Sequence, residues 1–192
     1  MKRLLLFSIA IVLILCSCNY NNEIHKKLIL ADTLLYHTKN DSAMKVLKSI
    51  NAENLKDESD KAYYKLLTTQ AQLVLYQRPI PDSTLNECIK FYTKHYDAEK
   101  LAKAYYYNGA ILSKVRNIKK AIKLLKAGEV HAKKSKSLIL IHHIEEQLSI
   151  VNAKTGNFNT ALKYANTALQ HSKKTKQKIM DYRRHEQTCR YL

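Results

Sequence analysis

The segment Tyr105–Ala121, YYYNGAILSKVRNIKKA, has a counterpart forty residues further on, and this self-similarity limits the fold more than any other feature. Asn117-Ile118 becomes Asn157-Phe158, Ala121-Ile122 becomes Ala161-Leu162, Gly109 becomes Ser149, and Gly128 becomes Ala168. In both copies a helical pattern runs into a short turn carrying asparagine and then into a second helix. A period of this size, with small residues in step, means that one supersecondary unit is stacked several times. An earlier copy aligns on Ala43, with Ala31 in place of Gly109, Leu34 in place of Leu112, Leu47 in place of Leu125 and Ile50 in place of Gly128. Between them lies a looser copy. Its first helix covers about Asp60 to Tyr76, Pro79 and Pro81 interrupt it, and it resumes at Asp82-Ser83-Thr84-Leu85, echoing Asp41-Ser42-Ala43-Met44. Aspartate at such a start can accept from the exposed backbone N–H groups of the first turn.

The expected architecture is all-α: four helical hairpins at about 23–52, 57–96, 98–135 and 138–172. Short polar segments join them, such as Asn51-Ala52-Glu53-Asn54 and Lys133-Lys134-Ser135-Lys136. A further helix is expected to start near Lys173, so that 173–192 reads as a capping helix or as the opening of a truncated next repeat. With 192 residues, three glycines and two prolines, the chain has a core's worth of sequence and too few turn residues for a sandwich or barrel. No Ser/Gly linker separates modules, so a single stack is expected.

A glycine inside a helix costs about 1 kcal/mol relative to alanine. Gly109 is therefore expected to serve close packing. A small residue on the first helix faces Ala121 on the second, so that the two backbones approach where side chains would collide. Ser149 against Ala161 repeats the device, and Gly128 and Ala168 continue it. Burial of the apolar residues around them, worth about 1.5–3 kcal/mol each, offsets the propensity cost.

The first residues read as a leader. Lys2 and Arg3 are followed by the apolar run Leu4 to Leu15 and a small-residue exit. The run is short of the roughly 20 residues that span a bilayer. Leu15-Cys16-Ser17-Cys18 resembles a bacterial lipobox, which implies a signal peptide over 1–17, lipidation (diacylglycerol and palmitate-type chains) at Cys18, and a linker over 18–22. Cys18 fits better than Cys16, which bulky Leu15 precedes. Two acyl chains give stable anchoring where one does not. The remaining cysteines, Cys88 and Cys189, show no paired spacing, and Cys88 reads as a small core residue.

The formal charge of +17 is unevenly spread. Asn19–Lys100 has 12 basic and 11 acidic residues, whereas Leu101–Leu192 has 19 basic and 5 acidic. The basic half suits an anionic surface or solvated helix faces. Lys119, Lys123 and Lys126 recur at four and three, a basic stripe that can rest on anionic lipid. Nucleic acid is disfavoured as a partner, since no nucleic-acid module is recognisable and a secreted chain does not meet it.

With these residues in view, the chain resembles the tetratricopeptide repeat (TPR) family. Tyr105 fills the aromatic slot of the first helix, Gly109 the glycine slot and Leu112 the tyrosine slot. Ala121, Leu125 and Gly128 fill the slots of the second. The fourth hairpin keeps Leu148, Ala161 and Ala168. Departures are Asn108 in the leucine slot, Glu145 and Asn152 where large apolar groups are usual, and no closing proline, Lys133 standing there instead. The resemblance implies a right-handed superhelical solenoid with a groove lined by first helices. Candidates for that partner-binding groove are Asp32, Leu35, Thr68, Gln72, Lys103, Tyr106, Glu146 and Lys154. Ala110 and Ile150 occupy the places of the asparagine used by clamps for a partner's carboxy terminus, so that mode is not expected. Lipobox and repeats together also resemble Gram-negative envelope lipoproteins. This implies a protein-binding scaffold anchored at the outer membrane or the periplasmic face. The alternative is the input part of a longer membrane-associated regulatory protein.

No enzyme chemistry is legible. No HExxH, GxSxG or phosphate loop occurs, and three dispersed glycines cannot build one. His142 and Glu146, four apart, can face one another, but a zinc site needs three or four converging ligands; no metal or cofactor is expected. His185 and Cys189 share the same spacing with no more support. Tyr105 is expected in the core, and Tyr106 or Tyr107 toward the groove or a neighbouring hairpin.

Overall fold

The computed structural model describes the backbone of residues 23–75 and 82–190, with side chains for these except at 82 and 178–190. The leader, Cys18 and the linker over 18–22, together with Pro79, Pro81 and the side chains of His185 and Cys189, lie outside the described residues. Those residues form eight α-helices and no strand: α1 (23–36), α2 (Asn40–Lys48), α3 (Glu58–Val74), α4 (Asp82–Lys94), α5 (Ala98–Lys114), α6 (Ile118–Ser135), α7 (Leu138–Lys154) and α8 (Phe158–Arg190). A 3-10 turn, Ala52–Asn54, stands in the first polar joining segment, capped by Asn51, whose side chain accepts from Glu53 N–H. No described helix is long and apolar enough to cross a membrane.

Contacts divide the chain into two compact units, Met1–Thr84 and Leu85–Leu192. In the first, α1, α2 and α3 share one core of Leu28, Ala31, Leu35, Ala43, Leu47, Leu67 and Ala71 with the residues around them. The α1 members recur at three and four, as one face of a helix requires. In the second unit α5 packs on α6, α7 on α8, and α7 also on both α6 and α5. Leu112, Ala121, Leu125, Ile141, Ile144 and Leu148 form its centre. The buried apolar stripe of α6 is narrow, Ala121, Leu125, Gly128 and Ala132, with Glu129 buried beside it. α5 and α7 bury wider faces.

The forty-residue period is kept by the backbone. α3, α5 and α7 are each 17 residues long and start at 58, 98 and 138. Asp57 and Asp97 cap the first two of these, each carboxylate accepting two backbone N–H groups. At Asp97 burial raises the pKa, but hydrogen bonds from the Lys100 side chain and backbone, and its charge, outweigh this and hold it below the ordinary carboxylate value. Ser137 occupies the third such position without a side-chain cap.

The turns inside the hairpins repeat as well. Thr38, Arg116 and Gly156 are all left-handed, with φ of 57°, 62° and 77°. After each, the next backbone N–H reaches back five residues: Lys39 to Leu34 O at 2.9 Å, Asn117 to Leu112 O at 2.9 Å, and Asn157 to Asn152 O at 3.0 Å. This is the Schellman closure of a helix end. The first bond of each following helix then runs from Ala43, Ala121 or Ala161 N–H to Lys39, Asn117 or Asn157 O.

Two expectations need correction. No new helix starts near Lys173: α8 continues unbroken from Phe158 to Arg190, because neither glycine nor proline occurs along it to stop it. Leu35, expected in a groove, is 5% exposed in the core of the first unit, since it falls on the same face as Leu28 and Ala31.

Candidate functional site

The small residues make close joints. A Cβ on Gly109 would lie 2.7 Å from Leu125 Cγ and 3.3 Å from Ala121 O, so α5 and α6 touch backbone to side chain at this point. A Cβ on Gly128 would meet Tyr105 Cβ at 3.2 Å and Ile144 Cδ1 at 3.4 Å. In the next hairpin Ser149 Oγ–H donates to Ala161 O at 2.9 Å, tying α7 to α8. Ala161 and Ala168 are both buried. These joints fix the faces of the first helices in the second unit.

On that face α5 presents Lys103, Tyr106 and Tyr107, and α7 presents His143, Glu146 and Lys154. Lys103 is half-buried and pairs with Glu99 at 3.5 Å. Tyr106 is half-buried between Tyr107, at 4.9 Å between ring centroids, and His143, at 6.2 Å and 27°. Burial, and next the Glu146 carboxylate, push the Tyr106 hydroxyl up to about 12, so it stays a neutral donor. Burial of the ring and the adjoining His142 push His143 down, against the pull of Glu146. Lys154 Nζ reaches across to Ser113 Oγ at 3.3 Å, linking α7 to α5. Tyr105 is half-buried rather than fully in the core, with its ring stacked on His131 at 5.8 Å and 8°.

Three buried polar side chains underlie this face, and their roles were not visible from sequence. Asn108, 1% exposed, donates to Asn86 Oδ1 at 2.9 Å, joining α5 to α4. Glu145, 3% exposed, accepts from His171 Nδ1 on α8 at 2.7 Å. Asn152 donates to Leu148 O at 2.7 Å. Each occupies a position where the repeat pattern wants an apolar group, so each departure is satisfied by a hydrogen bond.

In the first unit, Asp32 accepts from the Tyr63 hydroxyl at 2.6 Å. His25 and Asp60 meet at 2.7 Å. Thr68 and Gln72 are half-buried on α3, and Thr68 Oγ1 is buried with no hydrogen-bond partner. Asp32, Thr68 and Gln72 therefore belong to the first unit, and Lys103, Tyr106, Glu146 and Lys154 to the second.

The basic stripe on α6 is uneven. Lys119 and Lys123 are exposed. Lys126 is tied to Glu129 at 2.9 Å and to the Tyr164 hydroxyl, and Lys133 takes the other Glu129 oxygen at 2.6 Å. Hydrogen bonds to Tyr164 and Glu129 push the Lys126 pKa up. Burial alone would raise Glu129, but the bonds from Lys133 and Lys126 hold it below its ordinary value.

Comparison with protein-family models and with curated proteins gives no match.

Proposed function

We propose that this chain is a lipid-anchored scaffold of TPR-type hairpins that presents the α5–α7 face to a protein or peptide partner at a membrane of the bacterial envelope. The observation that carries the reading is the repeated Schellman turn at Thr38, Arg116 and Gly156, together with 17-residue first helices forty residues apart. Such regularity is what stacked hairpins need to hold one face rigid. Tyr106, Tyr107 and His143 supply aromatic surface at low entropic cost, and Lys103, Glu146 and Lys154 rim it with charge. Aromatic anchors inside a polar rim are how protein-binding patches are built.

The anchor is the lipid carried by Cys18, and the apolar run before it serves as the leader that directs export. Exposed Lys119 and Lys123 add attraction for anionic headgroups, about 1 kcal/mol each when near the surface. The test has two arms. Cys18→Ser is expected to move the chain from the membrane to the soluble fraction, still folded; unchanged partitioning removes the anchor. A photo-crosslinking residue at exposed Glu146 is expected to give a discrete protein adduct in native envelopes, whereas one at exposed Lys120 on α6 gives none. Equal labelling at both positions, or none at Glu146, removes the binding face.

A further inference from the structure

We propose that His142, His143 and Glu146 form a binding site for a divalent transition-metal ion of the zinc type, with its remaining coordination positions open. One ligand atom from each of the three lies within 4.8 Å of the other two. The two imidazole centroids are 5.1 Å apart, and His143 Nδ1 is 3.9 Å from Glu146 Oε2. Ligands around a tetrahedral zinc ion sit about 3.3 Å from one another, given metal–ligand bonds near 2.0–2.1 Å. Closing the difference takes only side-chain rotation at His143 and Glu146, which are exposed. The helix backbone stays where it is. Sequence spacing alone offered two converging groups, His142 and Glu146. The fold adds His143 as a third and turns Glu145 away, into its buried contact with His171.

The site is also held in place from outside. His142 Nδ1 lies 3.0 Å from Ala168 O on α8. A carbonyl oxygen only accepts, so the hydrogen is on Nδ1 and the lone pair of the ring is on Nε2. A ligating histidine whose other nitrogen donates to a backbone carbonyl is the arrangement that fixes tautomer and ring direction for a metal. Ala168 is buried, so this second contact is set by the packing of α8 on α7 and not by a mobile side chain. On the other side the Tyr106 ring stands 6.2 Å from that of His143, centroid to centroid, at 27°. Two imidazoles and one carboxylate favour zinc, copper or nickel over magnesium or calcium, which want oxygen ligands alone. Three protein ligands leave a fourth position for water or for a side chain of a bound molecule.

The experiment is calorimetric titration of the purified full-length chain in mild detergent with zinc chloride in a non-chelating buffer, and with magnesium chloride as comparison. Variants are His143→Ala, Glu146→Gln and the pair together. All three are at exposed positions, and circular dichroism melts without metal are expected to match the parent. Zinc is expected to bind once per chain and to raise the melting temperature. Each single variant is expected to weaken binding by at least about tenfold, and the double variant to abolish both heat and melting shift. Magnesium is expected to give no saturable binding. No saturable zinc uptake by the parent overturns the proposal, as does zinc binding of unchanged affinity in the double variant, which would place the metal on other histidines. Equal binding of magnesium overturns it too.

Discussion

At the residue scale, the chain's three glycines answer to two different demands. Gly156 has open space around its missing side chain and a φ of 77°, so its role is conformational. Gly109 has no space for one, and Gly128 has only a tight gap, with Tyr105 Cβ 3.2 Å from where a Cβ would stand. A methyl on Gly109 needs Leu125 Cγ, only 2.7 Å from the new atom, to retreat inside a packed core. Gly109→Ala is therefore expected to destabilise the protein by about 1–3 kcal/mol, although alanine is the better helix former by about 1 kcal/mol. Urea denaturation checks this, and an unchanged or raised midpoint would refute it. Glu145 gives a second case. Its carboxyl group is buried and accepts from the His171 imidazole. His171→Ala leaves an acceptor without its donor and is expected to cost about 1–3 kcal/mol by the same measurement. A tenth of that loss, or less, would mean that water replaces the imidazole.

At the element scale, the recurring turn places a side chain in the left-handed region at two positions of three. Left-handed φ costs a non-glycine residue about 1–2 kcal/mol. Gly156 shows how the chain relieves that cost when it can. Arg116 is exposed and makes its turn with the same hydrogen bonds. Arg116→Gly is expected to stabilise by about 0.5–1 kcal/mol, the greater freedom of glycine in the unfolded chain offsetting part of the gain. Thermal melts check the sign. The helices themselves were legible in the sequence because small residues and asparagine turns recur in register, and they do so where the Ala43, Ala121 and Ala161 N–H groups donate the first bonds of the second helices. The end of α8 was not legible, since polar residues from Lys173 onward read equally well as a joint or as a solvated helix. Nor was the burial of Leu35, because the step from helix face to groove came from resemblance and not from a contact. Of the candidate site, Tyr106 and Glu146 were reachable by counting along first helices. His143 was not, because adjacent residues on a helix point about 100° apart and only packing shows that both imidazoles stay near Glu146.

At the scale of the whole molecule, charge is the dominant asymmetry. The segment from Leu101 on carries 19 basic against 5 acidic residues. Glu129 restrains two of these cations directly, Lys126 and Lys133. Its folded pKa lies below the unfolded value, and so does that of Asp97. The unfolded chain therefore takes up protons first on acidification. The stability these groups supply is complete above the ordinary carboxylate range and is lost as pH falls through it to their folded pKa. Unfolding free energy is expected to decline steadily below about pH 5, with a shallower slope in Glu129→Gln. Equal slopes would assign the decline to general repulsion. Because Gly128 gives α6 a bare patch that seats against Tyr105 on one flank and Ile144 on the other, that helix acts as a keystone. Any side chain larger than hydrogen there would press on α5 and α7 at once.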